Sequence, residues 1–367
     1  MEPAIAKKIL HFIRAIPLKE FDGGIFSLLA GELFRYQFER NTIYRGICQQ
    51  QKMTPERIEN WREIPAVTTS AFKEAPLTCF PAHEAAAVFH TSGTTQNRSG
   101  KHYFRTLEFY RAAMLRSFAA YCLVDIVKMR MFFLGPTVEL FPNSSLGYMF
   151  SGLRDEFGDK KSAIFFSPQH LDAPGLQKAL DEAAQENAPV FILGTALALR
   201  ECMEIFQREG RKFKLPIGSR ILDTGGYKGH RTEITREEFQ QRLCETFGVP
   251  REFLLNEYGM TELSSQFYAS SLPDIPRHHE HHALRALHFM PPWVRVAAVD
   301  PEYLKILPEG EIGLLRIFDL ANVDSVMAIQ TEDLGRARQD RLELVGRATG
   351  AELRGCSLLT EAIDHAA

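Results

Sequence analysis

The chain has 367 residues, 45% hydrophobic and 24% charged, enough apolar content for one large domain or two. A formal net charge of -3, with no basic stripe or acidic tail, argues against a nucleic-acid binder. No run reaches the roughly 18 apolar residues that span a bilayer, the N-terminus lacks the apolar core of a signal peptide, and the six cysteines form no C-x-x-C pair. A soluble enzyme of the reducing cytoplasm is expected.

Residues 1–75 read as helical. Ile5, Ile9, Phe12, Ile13 and Ile16 recur at helical spacing, as do Phe26, Leu29, Leu33 and Phe34. Thr54-Pro55-Glu56 has the form of a helix start, with proline at the first helical position. Pro65 and Thr68-Thr69-Ser70 then break the pattern. Over 85–260, strand runs at 86–90, 128–134, 162–166, 189–193, 220–222 and 253–255 alternate with helical stretches. The helices open at Thr106-Leu107-Glu108, at residue 172, after Thr195, and at the capping box Thr235-Arg236-Glu237-Glu238. This alternation predicts an α/β fold with a largely parallel sheet. Over 265–345 short strand runs dominate, at 293–299, 312–317, 326–330 and 342–345, and predict a β-rich subdomain.

Several loops have the makings of a ligand site. Thr91-Ser92-Gly93-Thr94-Thr95 follows the first strand and sets hydroxyls and a glycine where main-chain N–H groups can converge on phosphate, with Arg98 or Lys101 as a nearby cation. It is not a Walker A loop: Gly93 and Gly100 enclose six residues rather than four, and His102 stands where Ser or Thr is required. Alone, it also reads as a Ser/Thr-rich turn. Asn256-Glu257-Tyr258-Gly259-Met260-Thr261-Glu262 follows a strand, where open α/β sheets place ligands. It offers an aromatic ring for a base, a hydroxyl for a phosphate and a carboxylate for Mg²⁺. Asp223-Thr224-Gly225-Gly226-Tyr227 allows flat main-chain approach to a planar ligand, and Asp333 of Thr331-Glu332-Asp333-Leu334-Gly335 can accept from ribose hydroxyls. Gly346-Arg347 follows, with Arg347 a candidate for phosphate or ribose. Each of these, alone, is also an ordinary turn or surface group.

Taken together and in this order, the motifs resemble the adenylate-forming superfamily of acyl-CoA synthetases, peptide-synthetase adenylation domains and firefly-type luciferases. The resemblance runs from 91 to 355. It implies an adenylate-forming domain of helix-flanked sheets with a β-rich subdomain: a catalytic domain over 1–345 and a short C-terminal remnant over 346–367. It further implies that Ser92, Gly93, Thr94 and Thr95, with Lys101, hold the ATP phosphates, and that Gly225, Gly226 and Tyr227 line the adenine site. Tyr258, followed by Gly259, would stack on adenine; Thr261 would bind the α-phosphate, Glu262 would hold Mg²⁺, and Asp333 the ribose, with Arg347 assisting. Two departures stand out. Gln96 replaces a usual glycine, and the chain stops at Ala367, so that the C-terminal lid domain with its lysine is expected to be truncated.

The short length, Asn256–Glu262, Pro291-Pro292-Trp293-Val294-Arg295 and the tail Arg354-Gly355-Cys356-Ser357-Leu358 are similar to the acyl-protein synthetases of the bacterial bioluminescence fatty-acid reductase system. That resemblance implies ATP-dependent activation of a long-chain fatty acid as acyl-AMP, acyl transfer to Cys356, and delivery to a reductase partner. Other readings are CoA as the acceptor, with Cys356 a buried packing residue, or a nucleotide-binding subunit without catalysis. Arg277-His278-His279-Glu280-His281-His282 has spacing compatible with metal binding, but a solvated loop is the expectation.

Overall fold

A computed structural model describes residues 3–18, 20–91, 99–225, 234–272 and 287–348. They fall into two compact units. The first takes the described residues of Met1–Arg116, Met260–Gln266 and Phe289–Ala367; the second takes those of Ser117–Gly259 and Phe267–His288.

The first unit opens with helices Ala4–Ala15, Gly23–Arg40 and Thr42–Gln50. Asp22 caps the second, its carboxylate accepting from the N–H groups of Gly24 and Ile25, and Asn41 caps the third through Tyr44 N–H. The apolar stripe read from the sequence is the buried face: Ile5, Ile9, Phe12 and Ile13 on the first helix, and Phe26, Leu29, Leu33 and Phe34 on the second. Full burial of such a side chain contributes about 1.5–3 kcal/mol. Thr54-Pro55-Glu56 does not start a helix; it forms a turn closed by Arg57 N–H on Thr54 O. Nothing apolar repeats behind it, and Asn60 instead caps the single 3₁₀ turn Trp61–Glu63 with a capping box.

Strands Val294–Val299, Gly313–Asp319, Ala328–Arg338 and Arg341–Arg347 then make an antiparallel meander, and Val67–Thr68 adds in parallel to Ala328–Arg338. Trp61 joins helix to sheet, its ring lying 5.7 Å from Phe26 and 4.8 Å from Phe318. Ala87–His90 and Lys101–Phe104 form a separate hairpin.

The second unit is a sheet with the order Ala163–Ile164, Arg130–Leu134, Val190–Thr195, Arg220–Thr224, Leu254–Tyr258, all parallel, closed by antiparallel Phe267–Ala269. The central strands are buried along nearly their whole length, as helix cover on a parallel sheet requires. Helices Ala173–Gln185, Ala196–Arg208 and Arg236–Phe247 contribute Leu176, Leu180, Leu199, Phe206 and Phe239 to one core with Ile192 and Ile221. The Thr235 capping box forms as expected. Helix Ser145–Phe157 has no counterpart among the elements read from the sequence. Among the described residues, no helix is long and apolar enough to cross a membrane.

Candidate functional site

In the second unit, the carboxyl ends of neighbouring strands place polar residues side by side. The register aligns Gly194, Asp223 and Asn256, and then Thr195, Thr224 and Glu257. Asn256 Nδ2 donates to the Asp223 carboxylate at 2.7 Å and to the Asp223 carbonyl at 3.1 Å, while its Oδ1 lies 2.8 Å from His288 Nε2. Thr224 Oγ1 donates to the Glu257 carboxylate. Burial pushes the Glu257 carboxyl up to about 7; the Thr224 bond opposes this and the Asp223 charge adds to it. Tyr258 ends its strand half-buried, its ring 5.7 Å from Phe267 and 6.1 Å from His288. Gly225, just beyond Thr224, has φ of +85°, a left-handed turn that glycine takes without strain. Gly259 is exposed.

In the first unit, the hairpin pins both ends of the loop from Thr91 to Gly100. Thr91 N–H donates to Gly100 O at 2.9 Å, Gly100 N–H donates to Thr91 Oγ1 at 2.8 Å, and Lys101 pairs with His90. Ser92, Gly93, Thr94 and Thr95 lie outside the described residues, as do Gly226, Tyr227, Cys356 and the histidine-rich segment 277–282. No cluster of metal-binding type occurs among the described residues.

Thr261 and Glu262 follow on a segment held by several hydrogen bonds. His102 Nδ1 donates to Thr261 O at 2.9 Å, and the Thr261 hydroxyl reaches His90 O at 3.4 Å. His102 is buried against Phe72 and Phe104, and burial holds its imidazole down to about 4, hence neutral. Asn322 Nδ2 donates to Glu262 O at 2.9 Å. Asp319 takes Ser264 N–H and Ser265 N–H on Oδ2, at 3.0 and 2.9 Å, and Ser265 Oγ and Ala321 N–H on Oδ1, at 2.8 and 2.9 Å. The Glu262 side chain is buried, and burial pushes its carboxyl up to about 7 despite Lys73 and Arg347, with Asp333 adding repulsion. Burial likewise lifts Asp319 to about 6, against the four donors.

Asp333 is not in a turn. It lies within strand Ala328–Arg338, directly across from Arg347, just before a bulge at Leu334 and Gly335. A Cβ on Gly335 would stand 2.4 Å from Glu343 O, so glycine is required where the ladder slips. Arg347 is exposed and ion-paired with Glu332 at 2.8 Å. Asp319, Asn322, Ser264 and Ser265, and in the other unit His288, lie outside the motifs read from the sequence, and Asn256 belongs to one without an assigned role. The available signal was polarity inside strand-like apolar runs, as at Phe318-Asp319-Leu320 and Leu255-Asn256-Glu257.

The fold is that of adenylate-forming ligases. A 2-hydroxyisobutyryl-CoA ligase, solved with 2-HIB-AMP and CoA, superposes with a TM-score of 0.65 over 95% of this chain and 72% of that one, at 15% identity. Residues 161–363 match the family Acyl-protein synthetase, LuxE, and the chain belongs to that family. It is similar to the long-chain-fatty-acid–luciferin-component ligase of Vibrio harveyi, 25% identical over 343 residues, 90% of this chain and 86% of that one. The ligase of the same description from Aliivibrio fischeri is 24% identical over 344 residues, with the same coverage. The enzyme is an acyl-protein synthetase of the ligase class.

Proposed function

We propose that the protein joins a long-chain fatty acid to AMP at the expense of ATP and then carries the acyl group on Cys356 for delivery to a reductase partner in the cytoplasm. The fatty acid follows from the description of the relatives. The reductase and the cytoplasm follow from the resemblance of the sequence motifs.

The observation that carries the choice of acceptor is the state of the other thiols. Cys48, Cys79, Cys122 and Cys202 are buried and Cys244 is half-buried. Burial raises all five above the ordinary thiol range, Cys48 to about 12. Acyl transfer needs a thiolate, and these five stay protonated at neutral pH. This supports Cys356 over the other five cysteines as the carrier.

For the first step, the roles proposed are the Thr261 hydroxyl on the α-phosphate and Asp333 on the ribose, with Arg347 released from Glu332 to assist. Tyr258 and Gly259, with Gly225, Gly226 and Tyr227, would take the adenine. Ser92, Gly93, Thr94 and Thr95, with Lys101, would take the remaining phosphates. Glu262 suits a magnesium ion: it is a hard oxygen donor whose ionised form is disfavoured by burial, and a cation would restore it. Bound there, Mg²⁺ supplies positive charge against phosphate oxygens. The substrate carboxylate oxygen attacks the α-phosphorus, the bond to the bridging oxygen breaks, and pyrophosphate leaves. The Cys356 sulfur then attacks the acyl carbon, and the acyl–oxygen bond breaks to release AMP.

Two measurements test this. Fatty-acid-dependent exchange of pyrophosphate into ATP reports the first step, and its absence with every carboxylic acid tried would reject an activating enzyme. Incubation with ATP, Mg²⁺ and labelled fatty acid should leave a hydroxylamine-sensitive label on the wild type and none on Cys356→Ser. A labelled Cys356→Ser protein, or CoA thioester formation that survives the substitution, would reject Cys356 as carrier.

A further inference from the structure

The segment bearing Thr261 and Glu262 is anchored from behind by the buried end of one strand and the loop that follows it. Asp319, wholly buried, ends strand Gly313–Asp319, and each of its carboxylate oxygens accepts two hydrogen bonds. Two of the four donors are consecutive main-chain amides, Ser264 and Ser265, two and three residues beyond Glu262. At 3.8 Å between successive Cα atoms, that spacing leaves little slack. Asn322 closes the remaining gap. Its Nδ2 holds Glu262 O at 2.9 Å and Val326 O at 3.2 Å, and its Oδ1 accepts from Ser264 Oγ at 2.7 Å. Trp293 Nε1 donates to Ser265 Oγ at 3.0 Å, which turns the Ser265 hydroxyl proton toward Asp319. The loop is itself tied down. Buried Gln37, from helix Gly23–Arg40, donates to Asn322 O at 2.7 Å and Val323 O at 3.1 Å and accepts from Met327 N–H at 3.1 Å.

We infer that Asp319 and Asn322 are positioning residues, which hold the main chain of 261–265 so that the Thr261 hydroxyl and the Glu262 carboxylate meet nucleotide phosphate and magnesium as a preset pair. The inference rests on the roles proposed above for Thr261 and Glu262. A buried anion is an expensive way to satisfy a turn. It does what a neutral group of the same size cannot, accepting from four donors at once. Replacing Asp319 by Asn turns an NH₂ toward two donors whichever way the amide lies.

The test compares Asp319→Asn, Ser264→Ala and the control Ser325→Ala in the full chain. Ser325→Ala removes the bond from Ser325 Oγ to Leu77 O in the same loop without touching 260–266. Mg²⁺ binding to the ATP complex is followed by calorimetry, and pyrophosphate exchange is measured against Mg²⁺, against ATP and against fatty acid. Asp319→Asn should raise the Mg²⁺ concentration for half-maximal exchange roughly tenfold or more, the range seen when partners behind a metal ligand are removed. Excess Mg²⁺ should recover part of the rate, with the fatty-acid KM unchanged. Ser264→Ala should shift Mg²⁺ dependence in the same direction by a smaller factor, and Ser325→Ala should not shift it. If Asp319→Asn does not fold, Ser264→Ala decides: wild-type Mg²⁺ dependence there overturns the inference. So does Asp319→Asn with wild-type Mg²⁺ dependence, or an equal shift in Ser325→Ala. Glu262→Gln keeps the two ideas apart. If it matches wild type, the site reading falls and this inference with it; if it loses Mg²⁺ dependence while Asp319→Asn keeps it, this inference alone falls.

Discussion

Replacing Glu262 by glutamine should make the nucleotide-free protein more stable at pH 8 while lowering its activity. Burial lifts the carboxyl from an ordinary 4.5 to about 7, so the folded protein holds this proton more tightly than the unfolded chain. The stabilisation is complete below pH 4.5, erodes as pH rises, and is gone above 7. Each pH unit between the two values is worth 1.36 kcal/mol, so the ionised side chain costs about 3 kcal/mol on the alkaline side. Glutamine has nearly the same shape and no charge to bury. The gap between variant and wild type should therefore be near zero at pH 4.5, widen towards pH 7 and then level off. Using the difference removes Glu257 and Asp319, which are lifted in the same direction and common to both proteins. The fluorescence of Trp61 and Trp293, the two tryptophans of the chain, reports this unit, because both are buried in it and Glu262 belongs to it. Urea titrations followed at this signal from pH 5 to 8 give the gap directly. Parallel curves at every pH, or a variant less stable at pH 8, would mean that Glu262 is comfortably ionised in the fold, and the reasoning would fail.

Magnesium bound at Glu262 must displace a proton below pH 7, so the apparent Mg²⁺ affinity of the nucleotide complex should fall about tenfold per pH unit there. Calorimetry in buffers of different ionisation heat should register the released proton. In the other unit, Arg220 is buried and held bidentately by Asp125 at 2.8 and 2.9 Å. Asp125→Asn should cost about 2 kcal/mol in thermal denaturation, less than for a fully buried pair because Asp125 is partly exposed. Arg220 holds the Asp125 carboxyl below its ordinary 3.8, so this contribution is present above that value and lost as pH falls through the lowered one. Gly248→Ala should destabilise by at least about 1 kcal/mol in the same assay. Gly248 caps helix Arg236–Phe247 at φ +68°, and a Cβ there would stand 2.7 Å from Phe213 O.

The parallel sheet was legible because its strands are continuous apolar runs and its helices begin at recognisable caps, Thr195 and Thr235 among them. Helix Ser145–Phe157 was not, because Gly147, Ser151 and Gly152 lie on its buried side and interrupt the apolar stripe. A Cβ on Gly147 would meet Thr137 main chain at 3.1 Å, so a small residue marks close packing there rather than a turn. Asp333 looked like the start of a turn because the glycine after it reads as one. The strand runs through it, and Gly335 serves a bulge. Thr261 and Glu262 were legible as a motif. Asp319 and Asn322 were not, since they lie more than fifty residues downstream and most of their partners are main-chain atoms, which leave no sequence signature.

The buried carboxylates sort themselves by what surrounds them. Asp319 is met by four donors, two of them main-chain amides, and stays ionised at neutral pH; changing it should alter geometry before chemistry. Glu257 has one hydroxyl donor, from Thr224, and sits beside Asp223. Among the described residues, Glu262 takes a hydrogen bond from its own main chain, with the charges of Lys73 and Arg347 acting from further off. A group left in that state costs the fold stability, and a cation bound there, as proposed, would relieve it. The same logic runs in reverse for sulfur. A protein that holds a reactive acyl-adenylate is exposed to acylation of its own thiols, and the five cysteines placed in the fold are kept protonated by burial. Under the proposed reading the acyl group is steered by exclusion as well as by attraction: these five thiols are withheld from transfer.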